Sequence, residues 1–528
     1  MSTPPARNSP IGGKYPGASS PKPSALNHQH HVDNPMPHVL GEGVNAQPLD
    51  IIGATATDKV VIVMVGLPAT GKTHIANRIR RFLDFFHDIP CSIFNVGEYR
   101  RKLCGAQMPA SFYDPSNVQA QAARSIACNA ALDDLVTYMK VPGVRVGILD
   151  ATNSTKERRE HVRNTLRKAN MGVKVMSIES ICENAELLAE NIRTVKLNTP
   201  DYKGTDPEEA VKDFNQRREN YKQSYEGLDD SDGAYVIIHD CKKFVIHSIR
   251  GYLPLKIVHF VMNLHTLPRY FYFTRHGQSE YNLLGKIGGD SGLSANGSEY
   301  AKRLALFAKD SICTDAAGQP RPSRLWTSTM NRTKDTAAWI EHPTIQATYE
   351  DGSKEKHDWI QMRPMARRNL DELYAGTCDG MTYKEIEEVF PEEFKARQED
   401  KLAYRYPRGE SYMDVILRLE PLAHEMERTR EPILIIGHQG ILRILYAYFM
   451  GMKRKEAPYV SIPLNHVLKL TPHAYGCHED RVCLMTKSEM VWDGQDEPVT
   501  SMPMGGKGGE RKGSDIAHND PVMNAPSC

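Results

Sequence analysis

Eight consecutive residues, Gly66 to Thr73 (GLPATGKT), match the G-x-x-x-x-G-K-[ST] pattern of a phosphate-binding loop. The pattern needs Gly66 and Gly71 because a tight turn lets backbone N–H groups cradle phosphate oxygens. Lys72 would reach the β- and γ-phosphates, and the Thr73 hydroxyl would ligate Mg²⁺. The alternative is a glycine turn that carries a lysine by chance. The motif predicts a nucleoside triphosphate site.

A strand and a helix flank this loop, as a working phosphate loop requires. Residues 60–65 are all apolar and mostly β-branched, which is typical of a strand buried on both faces. From His74 to Phe86, apolar residues recur at helical spacing. The strand–loop–helix context favours the nucleotide site over the chance turn.

A second set of chemical residues follows two predicted strands further along the chain. The aromatic run 270–274 leads into Arg275-His276-Gly277, and the apolar run 433–436 leads into Gly437-His438. A single histidine in such a place is more often structural. Because two strands each end near a histidine, with arginines and a glutamate between them in sequence, we expect one converging site at a sheet edge.

The chemistry of this second set is phosphoryl transfer through a covalent intermediate. An imidazole with a pKa near 6.5 is a competent nucleophile at neutral pH, so His276 would attack phosphorus. Arg275, Arg332 and His438 would neutralise charge on the phosphoryl oxygens. Glu372 would protonate the leaving alcohol and then deprotonate the water that hydrolyses the phosphohistidine. This predicted chemistry needs no metal.

Composition excludes several classes of protein. A chain of 528 residues predicts about two to four domains. The net charge of +1 gives no sign of a nucleic-acid or membrane partner, and no apolar run approaches the ~20 residues of a membrane span. The first residues lack a hydrophobic signal region, so export is not expected. The ten cysteines are then expected as reduced thiols, and the predicted location is cytoplasmic.

Alternating strands and helices predict α/β architecture in both halves. In the first half, strands are predicted at 60–65, 92–95, 144–150, 173–178 and 235–239, with helical segments between them. The third of these strands ends at Asp150, where proteins with a phosphate loop hold Mg²⁺, so Asp150 is a candidate metal or base residue. A helix N-cap is its alternative role. Residues 244–268 are interpreted as a linker.

The predicted domains are a disordered tail at 1–57, a phosphate-loop domain at 58–250, a second α/β domain at 269–480 and a disordered tail at 487–528. Both tails are rich in small and polar residues and have few apolar residues to bury.

With these motifs together, the chain resembles the bifunctional 6-phosphofructo-2-kinase/fructose-2,6-bisphosphatase family over about residues 58–480. The segments that carry the resemblance are GLPATGKT, FNVGEYRR (94–101), LDATNST (149–155), VKLNTPDYK (195–203), TRHGQSEYN (274–282), GKIGGDSGLS (285–294), RYPRGESY (405–412), GHQGILR (437–443) and LKLTPHAYGC (468–477). The resemblance implies a P-loop NTPase-like doubly wound parallel sheet, followed by a histidine-phosphatase (phosphoglycerate mutase-like) α/β domain, between disordered tails.

The resemblance also implies residue roles in the kinase half. ATP would bind the phosphate loop, with Asn191 and Lys196 completing the site, and Asp150 and Cys182 would be active-site residues. The positions that match contacts to fructose 6-phosphate are Arg100, Thr152, Arg158, Arg217 and Tyr221.

In the phosphatase half, the resemblance implies that His276 is phosphorylated and that Glu372 is the proton donor. The other positions that match substrate or transition-state contacts are Arg275, Asn282, Gly288, Arg332, Tyr383, Arg397, Lys401, Tyr412, His438, Gln439 and Arg443.

The implied activity is synthesis and hydrolysis of fructose 2,6-bisphosphate. The kinase half would use ATP as substrate with Mg²⁺, the phosphatase half would need no cofactor, and the chain would form a homodimer. Two alternatives stay open: an enzyme in which the phosphatase dominates over a weak kinase, and a sensor that binds ATP and sugar phosphate without turnover. Intact His276, Glu372 and His438 disfavour the sensor.

The sequence departs from the family at three places, one of which is Thr70, where an arginine is common in the phosphate loop. Asp114 stands where the resemblance places an arginine that contacts the sugar phosphate, and loss of that cation would cost about 1.5–3 kcal/mol of binding. The segment of residues 342–368 is longer than the corresponding segment of the family, and it is predicted to form a surface loop.

Overall fold

The computed structural model describes residues 59–193, 199–265, 268–348, 355–473 and 476–490. Lys196, the first tail and residues 491–528 of the second tail lie outside these ranges. The described part of the chain contains no helix long and apolar enough to cross a membrane.

The first half is built on a six-stranded sheet of order β2-β3-β1-β4-β5-β6. Its first five strands are parallel, and the edge strand β6 runs antiparallel to β5. The elements are β1 (Lys59–Val65), α1 (Lys72–His87), β2 (Cys91–Asn95), α2 (Val96–Cys104), α3 (Val118–Lys140), β3 (Val146–Asp150), α4 (Lys156–Lys168), β4 (Val173–Ile181), α5 (Ala185–Asn191), α6 (Pro207–Gln223), β5 (Ala234–His239), β6 (Lys243–His247) and α7 (Tyr252–Val261).

The central strand β1 shows why this sheet is covered on both faces. Successive side chains of a strand point to opposite faces. Val60, Ile62 and Met64 join one apolar cluster, whereas Val61 and Val63 join another. All of them are almost fully buried. The continuous apolar run in the sequence is therefore a strand between two helix layers, as predicted.

The second half is a six-stranded sheet of order β11-β8-β12-β7-β13-β14. β11, β8, β12 and β7 are parallel, and β13 and β14 extend the sheet antiparallel. The elements are β7 (Phe271–Arg275), α8 (Glu280–Leu283), α9 (Ala295–Phe307), β8 (Arg324–Thr327), α10 (Asn331–Ala337), β9 (Thr344–Thr348), β10 (Lys356–Ile360), β11 (Pro364–Ala366), α11 (Tyr383–Val389), α12 (Pro391–Glu399), α13 (Tyr412–Arg428), β12 (Ile433–Gly437), α14 (Gln439–Met450), β13 (His466–His473) and β14 (Gly476–Cys483).

The two halves share one apolar core. A single cluster of buried residues runs from β1 and α1 through α7 to α13 and α14. Phe82 of α1 stacks on Phe260 of α7, with ring centroids 4.4 Å apart and nearly parallel planes. Phe86 of α1 lies 4.8 Å from the ring of Tyr448 in α14. The helix that follows the phosphate loop therefore packs directly on the second half of the chain.

A buried ion cluster lies at this junction. Arg78 of α1 and Arg269 both contact the carboxylate of Glu427 in α13, and Tyr448 donates to its other oxygen at 3.0 Å. Glu427 is fully buried. Burial alone would raise the pKa of Glu427, but the two arginines outweigh it and lower that pKa to about 2. The carboxylate therefore stays charged at neutral pH.

Three stretches differ from the sequence prediction. The predicted linker contains most of β6 and all of α7, and α7 buries six residues, five of them in the shared apolar core, because its apolar residues recur on one face. The predicted loop at 342–368 contains the hairpin of β9 and β10. Residues 487–489, predicted as part of the second tail, form a 3₁₀ turn, and Glu489 accepts from Arg303 at 2.8 Å.

We expect Glu427→Ala to lower the free energy of unfolding by about 3–5 kcal/mol, because Arg78 and Arg269 would stay buried without their counter-ion. The measurement is denaturant unfolding of the full chain. Glu425→Ala is the matched control: it lies on the same helix, but its ion pair with Arg367 is partly exposed, and its loss should cost about 1 kcal/mol or less. Equal effects of the two substitutions would contradict the prediction.

Candidate active sites

The phosphate loop joins β1 to α1 and has the backbone conformation that its glycines permit. Gly66 has φ of 137° and Gly71 has φ of 90°, a region that other residues rarely adopt. A Cβ on Gly66 would lie 2.5 Å from the carbonyl oxygen of Ser180. Lys72 begins α1, and its Nζ donates to the Leu67 carbonyl at 2.5 Å across the loop. The loop therefore surrounds the start of the helix, where an anion is favoured.

Thr73 and Asp150 meet beside this loop, as the sequence predicts. The Thr73 hydroxyl donates to Asp150 Oδ2 at 2.7 Å, and Asn95 Nδ2 donates to the same oxygen at 2.6 Å. Asp150 ends β3, and Asn95 ends the neighbouring parallel strand β2. A hydroxyl and a carboxylate are the oxygen donors that Mg²⁺ prefers when phosphates and water fill its remaining positions. The residues present therefore fit Mg²⁺.

A cavity of about 670 Å³ opens from the phosphate loop. Most kinase-half residues predicted from the sequence line it: Gly71, Lys72, Thr73, Arg100, Asp150, Thr152, Arg158, Asn191, Arg217 and Tyr221. Asn191 also donates to the Ala69 carbonyl at 3.3 Å, which ties α5 to the loop. The predicted residues from several helices and strand ends thus meet around one space.

Two residues predicted for this site and described by the structure do not line the cavity: Gly66, whose backbone forms the turn of the loop, and Cys182. Cys182 follows β4, is buried, and its Sγ lies 3.8 Å from the Asn184 carbonyl. Burial, reinforced by Asp240, raises the pKa of its thiol. The thiol is therefore protonated at neutral pH, and its surroundings are those of a packing residue.

Asp201 organises the arginines on one side of the cavity, although its type and position alone do not predict this. Arg100 Nη2 donates to both of its carboxylate oxygens, at 2.8 and 2.7 Å, and Arg217 lies 3.7 Å away. The Arg217 guanidinium also stacks over the Tyr113 ring, 3.8 Å from its centroid. Burial would raise the pKa of Asp201, but Arg100 and Arg217 lower it. One carboxylate therefore holds two predicted substrate contacts in place.

Arg124 is a cavity residue that sequence reasoning missed. It lies on α3, lines the cavity, and its guanidinium is 6.0 Å from the Tyr221 ring centroid. The sequence did not reveal it because polar and apolar residues alternate irregularly along the first turns of α3, so no apolar face shows which side chains point inward.

Asp114 is the residue expected to weaken binding of the sugar phosphate. Its carboxylate accepts hydrogen bonds from the backbone N–H and the hydroxyl of Ser116, at 2.8 and 2.6 Å.

The second site is formed by His276 after β7 and His438 after β12, two adjacent parallel strands. Their ring centroids are 5.2 Å apart. His276 Nδ1 donates to the Gly277 carbonyl at 2.7 Å, which leaves Nε2 with its lone pair. His438 Nε2 lies 2.8 Å from the Ser328 hydroxyl, and its buried Nδ1 has no hydrogen-bond partner among the described residues. The predicted convergence of the two histidines is present.

Burial and nearby cations keep both histidines neutral. Burial lowers the pKa of His276 well below its usual range, and Arg332 and Arg275 lower it further. Burial, Arg332 and His276 do the same to the pKa of His438. A neutral imidazole is the nucleophilic form, so the site favours His276 as a nucleophile.

Arg275, Arg332 and Glu372 surround the histidine pair. Arg332 Nη1 donates to the Gly289 carbonyl at 2.6 Å, and Arg275 Nη1 donates to the Ile462 carbonyl at 3.4 Å. Burial lowers the pKa of Arg275 to about 10, so it is still a cation at neutral pH. Glu372 Oε2 accepts from the backbone N–H of Gly440 at the start of α14, at 3.3 Å.

A second group of cations lies beside the histidine pair, along α12 and α14. Arg443 donates to the Val460 carbonyl at 2.6 Å and to the Tyr412 hydroxyl at 3.3 Å, and Gln439 begins the same helix. Arg397 donates to the Tyr383 hydroxyl at 3.0 Å. Burial, Arg443 and Arg397 lower the pKa of Lys401 to about 7. These cations would suit a second phosphate.

Asn282 and Gly288 lie in the segment that follows His276. The Asn282 side chain accepts from the N–H of Ser279 at 3.0 Å and so completes the capping box of α8, in which Ser279 is the N-cap. Gly288 has φ of 69°, and a Cβ there would lie 1.7 Å from an Asp379 carboxylate oxygen. A side chain at this position would strain the backbone and displace the Asp379 carboxylate, so glycine lets the segment approach Asp379 closely.

Fold and sites together define a phosphate-loop kinase joined to a histidine phosphatase. The family model of 6-phosphofructo-2-kinase matches residues 49–268, and that of the histidine phosphatase superfamily (branch 1) matches residues 271–483. The 6-phosphofructo-2-kinase/fructose-2,6-bisphosphatase of Gallus gallus is 41% identical, covering 80% of this chain and 84% of the relative. Form 4 from Rattus norvegicus and form 4 from Homo sapiens are each 42% identical, covering 80% of this chain and 85% of each relative.

The chain therefore belongs to the bifunctional 6-phosphofructo-2-kinase/fructose-2,6-bisphosphatase family, with both the kinase and the phosphatase half. The family expected from the sequence motifs is confirmed, and so is the α/β fold of each half.

Proposed function

We propose that this chain makes fructose 2,6-bisphosphate from ATP and fructose 6-phosphate, and hydrolyses it at the 2-phosphate through a phosphohistidine on His276. The observation that carries the proposal is the presence of two sites in one chain: the phosphate loop joined to Asp150, and the buried pair of His276 and His438. The intact second site favours an enzyme over a sensor that only binds its ligands.

In the kinase half, the loop N–H groups and Lys72 would bind the ATP phosphates, and Thr73 and Asp150 would hold Mg²⁺. The ion would supply charge neutralisation between the phosphates. Both hydrogen bonds to Asp150 go to Oδ2, so Oδ1 can orient the sugar 2-hydroxyl toward the γ-phosphorus. Asn191 and Lys196 would complete the nucleotide site, as the family resemblance implies.

Arginines and tyrosines would bind the sugar phosphate at the other side of the cavity. Arg100, Arg158 and Arg217 are the predicted cations, with Thr152 and Tyr221 beside them. Arg124 lines the same cavity and supplies a further cation. It offsets the loss expected from Asp114, whose carboxylate is engaged by Ser116. A kinase weakened by Asp114 is therefore not the favoured alternative.

In the phosphatase half, His276 Nε2 would form a bond to phosphorus while the bond from phosphorus to fructose O2 breaks. Protonated Glu372 would give its proton to that oxygen, and then take a proton from the water that attacks the phosphohistidine. Hydrolysis would return the electron pair of the N–P bond to Nε2. Arg275, Arg332 and His438 would stabilise the phosphoryl charge. No step requires a metal or cofactor.

The remaining sequence-predicted residues would bind the rest of the bisphosphate. They are Asn282, Gly288, Tyr383, Arg397, Lys401, Tyr412, Gln439 and Arg443. Cys182 has the surroundings of a packing residue, so we assign it no chemical step.

We also infer a homodimer in the cytosol. Among the described residues, nine cysteines are free, which suits a reducing compartment. The edge strand β6 exposes Val245 and Ile246, and an exposed apolar edge is a template for pairing with another strand. Sedimentation equilibrium of the full chain should give the dimer mass, and a monomer at micromolar concentration would contradict the inference.

The decisive experiment supplies γ-labelled ATP, Mg²⁺ and fructose 6-phosphate to the wild type and to His276→Ala. We expect wild type to turn over labelled fructose 2,6-bisphosphate and to carry acid-labile phosphate, whereas His276→Ala accumulates the bisphosphate. Lys72→Met is the complementary control. It should lose kinase activity, whereas fructose 2,6-bisphosphate that is supplied with a labelled 2-phosphate should still transfer its label to His276. If His276→Ala hydrolyses the bisphosphate at the wild-type rate, the phosphohistidine route is wrong.

The low pKa of Lys401 predicts a pH dependence for the phosphatase. Lys401 is protonated below about pH 7, so its attraction for a phosphate is present at acid pH and is lost as the pH rises through that value. We expect kcat/KM for the bisphosphate to fall about ten-fold or more above pH 7, the size of one charge-assisted hydrogen bond. In Lys401→Arg the side chain stays cationic above pH 7, so kcat/KM should not fall in that pH range. Identical profiles would contradict the assignment.

A further inference from the structure

Two hydrogen bonds between side chains connect α3 to α4 across one wall of the kinase cavity. Arg158 Nη2 donates to the Ser125 hydroxyl at 3.2 Å, and His161 Nε2 lies 2.8 Å from Asn129 Oδ1. The partners are three residues apart on α4 and four apart on α3, so each pair lies one helical turn from the next. We call these two contacts the α3–α4 ladder.

All four residues of the ladder line the cavity. Further along the same helices, Leu135 of α3 and Val162 of α4 are buried in one apolar cluster. The ladder joins Ser125 and Asn129 near the middle of α3 to Arg158 and His161 in the first half of α4, so polar side chains as well as the apolar cluster connect the two helices. It therefore contributes to how the cavity side of α3 is placed relative to α4.

The ladder connects directly to the cations that would bind the sugar phosphate. Arg158 forms the ladder contact with Ser125, and its backbone N–H donates to the hydroxyl of the N-cap Thr155 at 3.2 Å. Arg124 precedes Ser125 on α3 and lines the same cavity. A small displacement of α3 from α4 would change the spacing between Arg124 and Arg158.

We propose that Ser125, Asn129 and His161 are positioning residues that set the affinity of the kinase half for its sugar phosphate. They fix the spacing of Arg124 and Arg158, and thereby the fit of both cations to one anionic group. The inference rests on the proposed kinase function. It extends that function to three residues that neither the sequence motifs nor the family resemblance assigned to it.

The physical expectation is an effect on binding and not on the chemical step. Arg124 and Arg158 lie on the α3–α4 wall, whereas Lys72 and Thr73 hold the reacting phosphate at the loop. Binding energy from a non-reacting part of the substrate that is equal in the ground and transition states changes KM and leaves kcat unchanged. The ladder should therefore influence KM for fructose 6-phosphate alone.

The test compares His161→Ala, Ser125→Ala and the conservative His161→Gln, whose amide N–H can replace the Nε2 donor. We expect KM for fructose 6-phosphate to rise about three- to five-fold in the two alanine variants, the size of one partly exposed hydrogen bond. KM for ATP and kcat should stay within about two-fold, and His161→Gln should recover most of the loss. Asn164→Ala, which removes a contact to Arg167 on the same helix, is the matched control and should change nothing.

The phosphatase activity of each variant reports whether the chain is folded. If KM for fructose 6-phosphate is unchanged in both alanine variants, or if KM for ATP rises in parallel, the positioning role is wrong. If wild type itself phosphorylates no fructose 6-phosphate, the proposed function fails instead. The two failures are therefore distinguishable.

Discussion

The contact of Glu427 with Arg78 and Arg269 is the interaction on which the arrangement of the two halves depends. Arg78 belongs to α1, the helix that begins at the phosphate loop, and Glu427 belongs to α13 of the phosphatase half. A charged group inside an apolar core is tolerated only with a partner, so the cluster allows one docking of α1 on α13 and α14. Apolar contacts such as those of Phe82 and Phe86 contribute attraction there, while the ion cluster makes other arrangements costly.

Both sites follow from one property of parallel sheets. The carboxyl ends of parallel strands lie at one edge, so residues distant in sequence meet there. Asn95 and Asp150 meet after β2 and β3, and His276 and His438 meet after β7 and β12. Each sheet supplies the geometry, and the two chemistries differ because different side chains end the strands.

Burial and charge then adjust these side chains for phosphate chemistry. In the phosphatase half, burial and two arginines keep His276 neutral and nucleophilic. In the kinase half, Asp201 is a fixed anion that holds Arg100 and Arg217 near the cavity. Anionic ligands can then bind without first bringing together cations that repel one another, because the counter-ion has already fixed where the cations lie.

The sequence by itself determined the local chemistry. Gly66, Gly71, Lys72 and Thr73 are held in one loop by their spacing, and the strand ends before Asp150 and His276 follow from apolar runs. Tertiary structure alone decided that Asp201 contacts Arg100 and Arg217, which are 101 residues before it and 16 residues after it in the sequence. It also decided that Arg124 and His161 face the cavity, and that α7 is part of the core. The physical reason is that spacing fixes contacts within a turn or a strand, whereas contacts between helices depend on how their apolar faces pack.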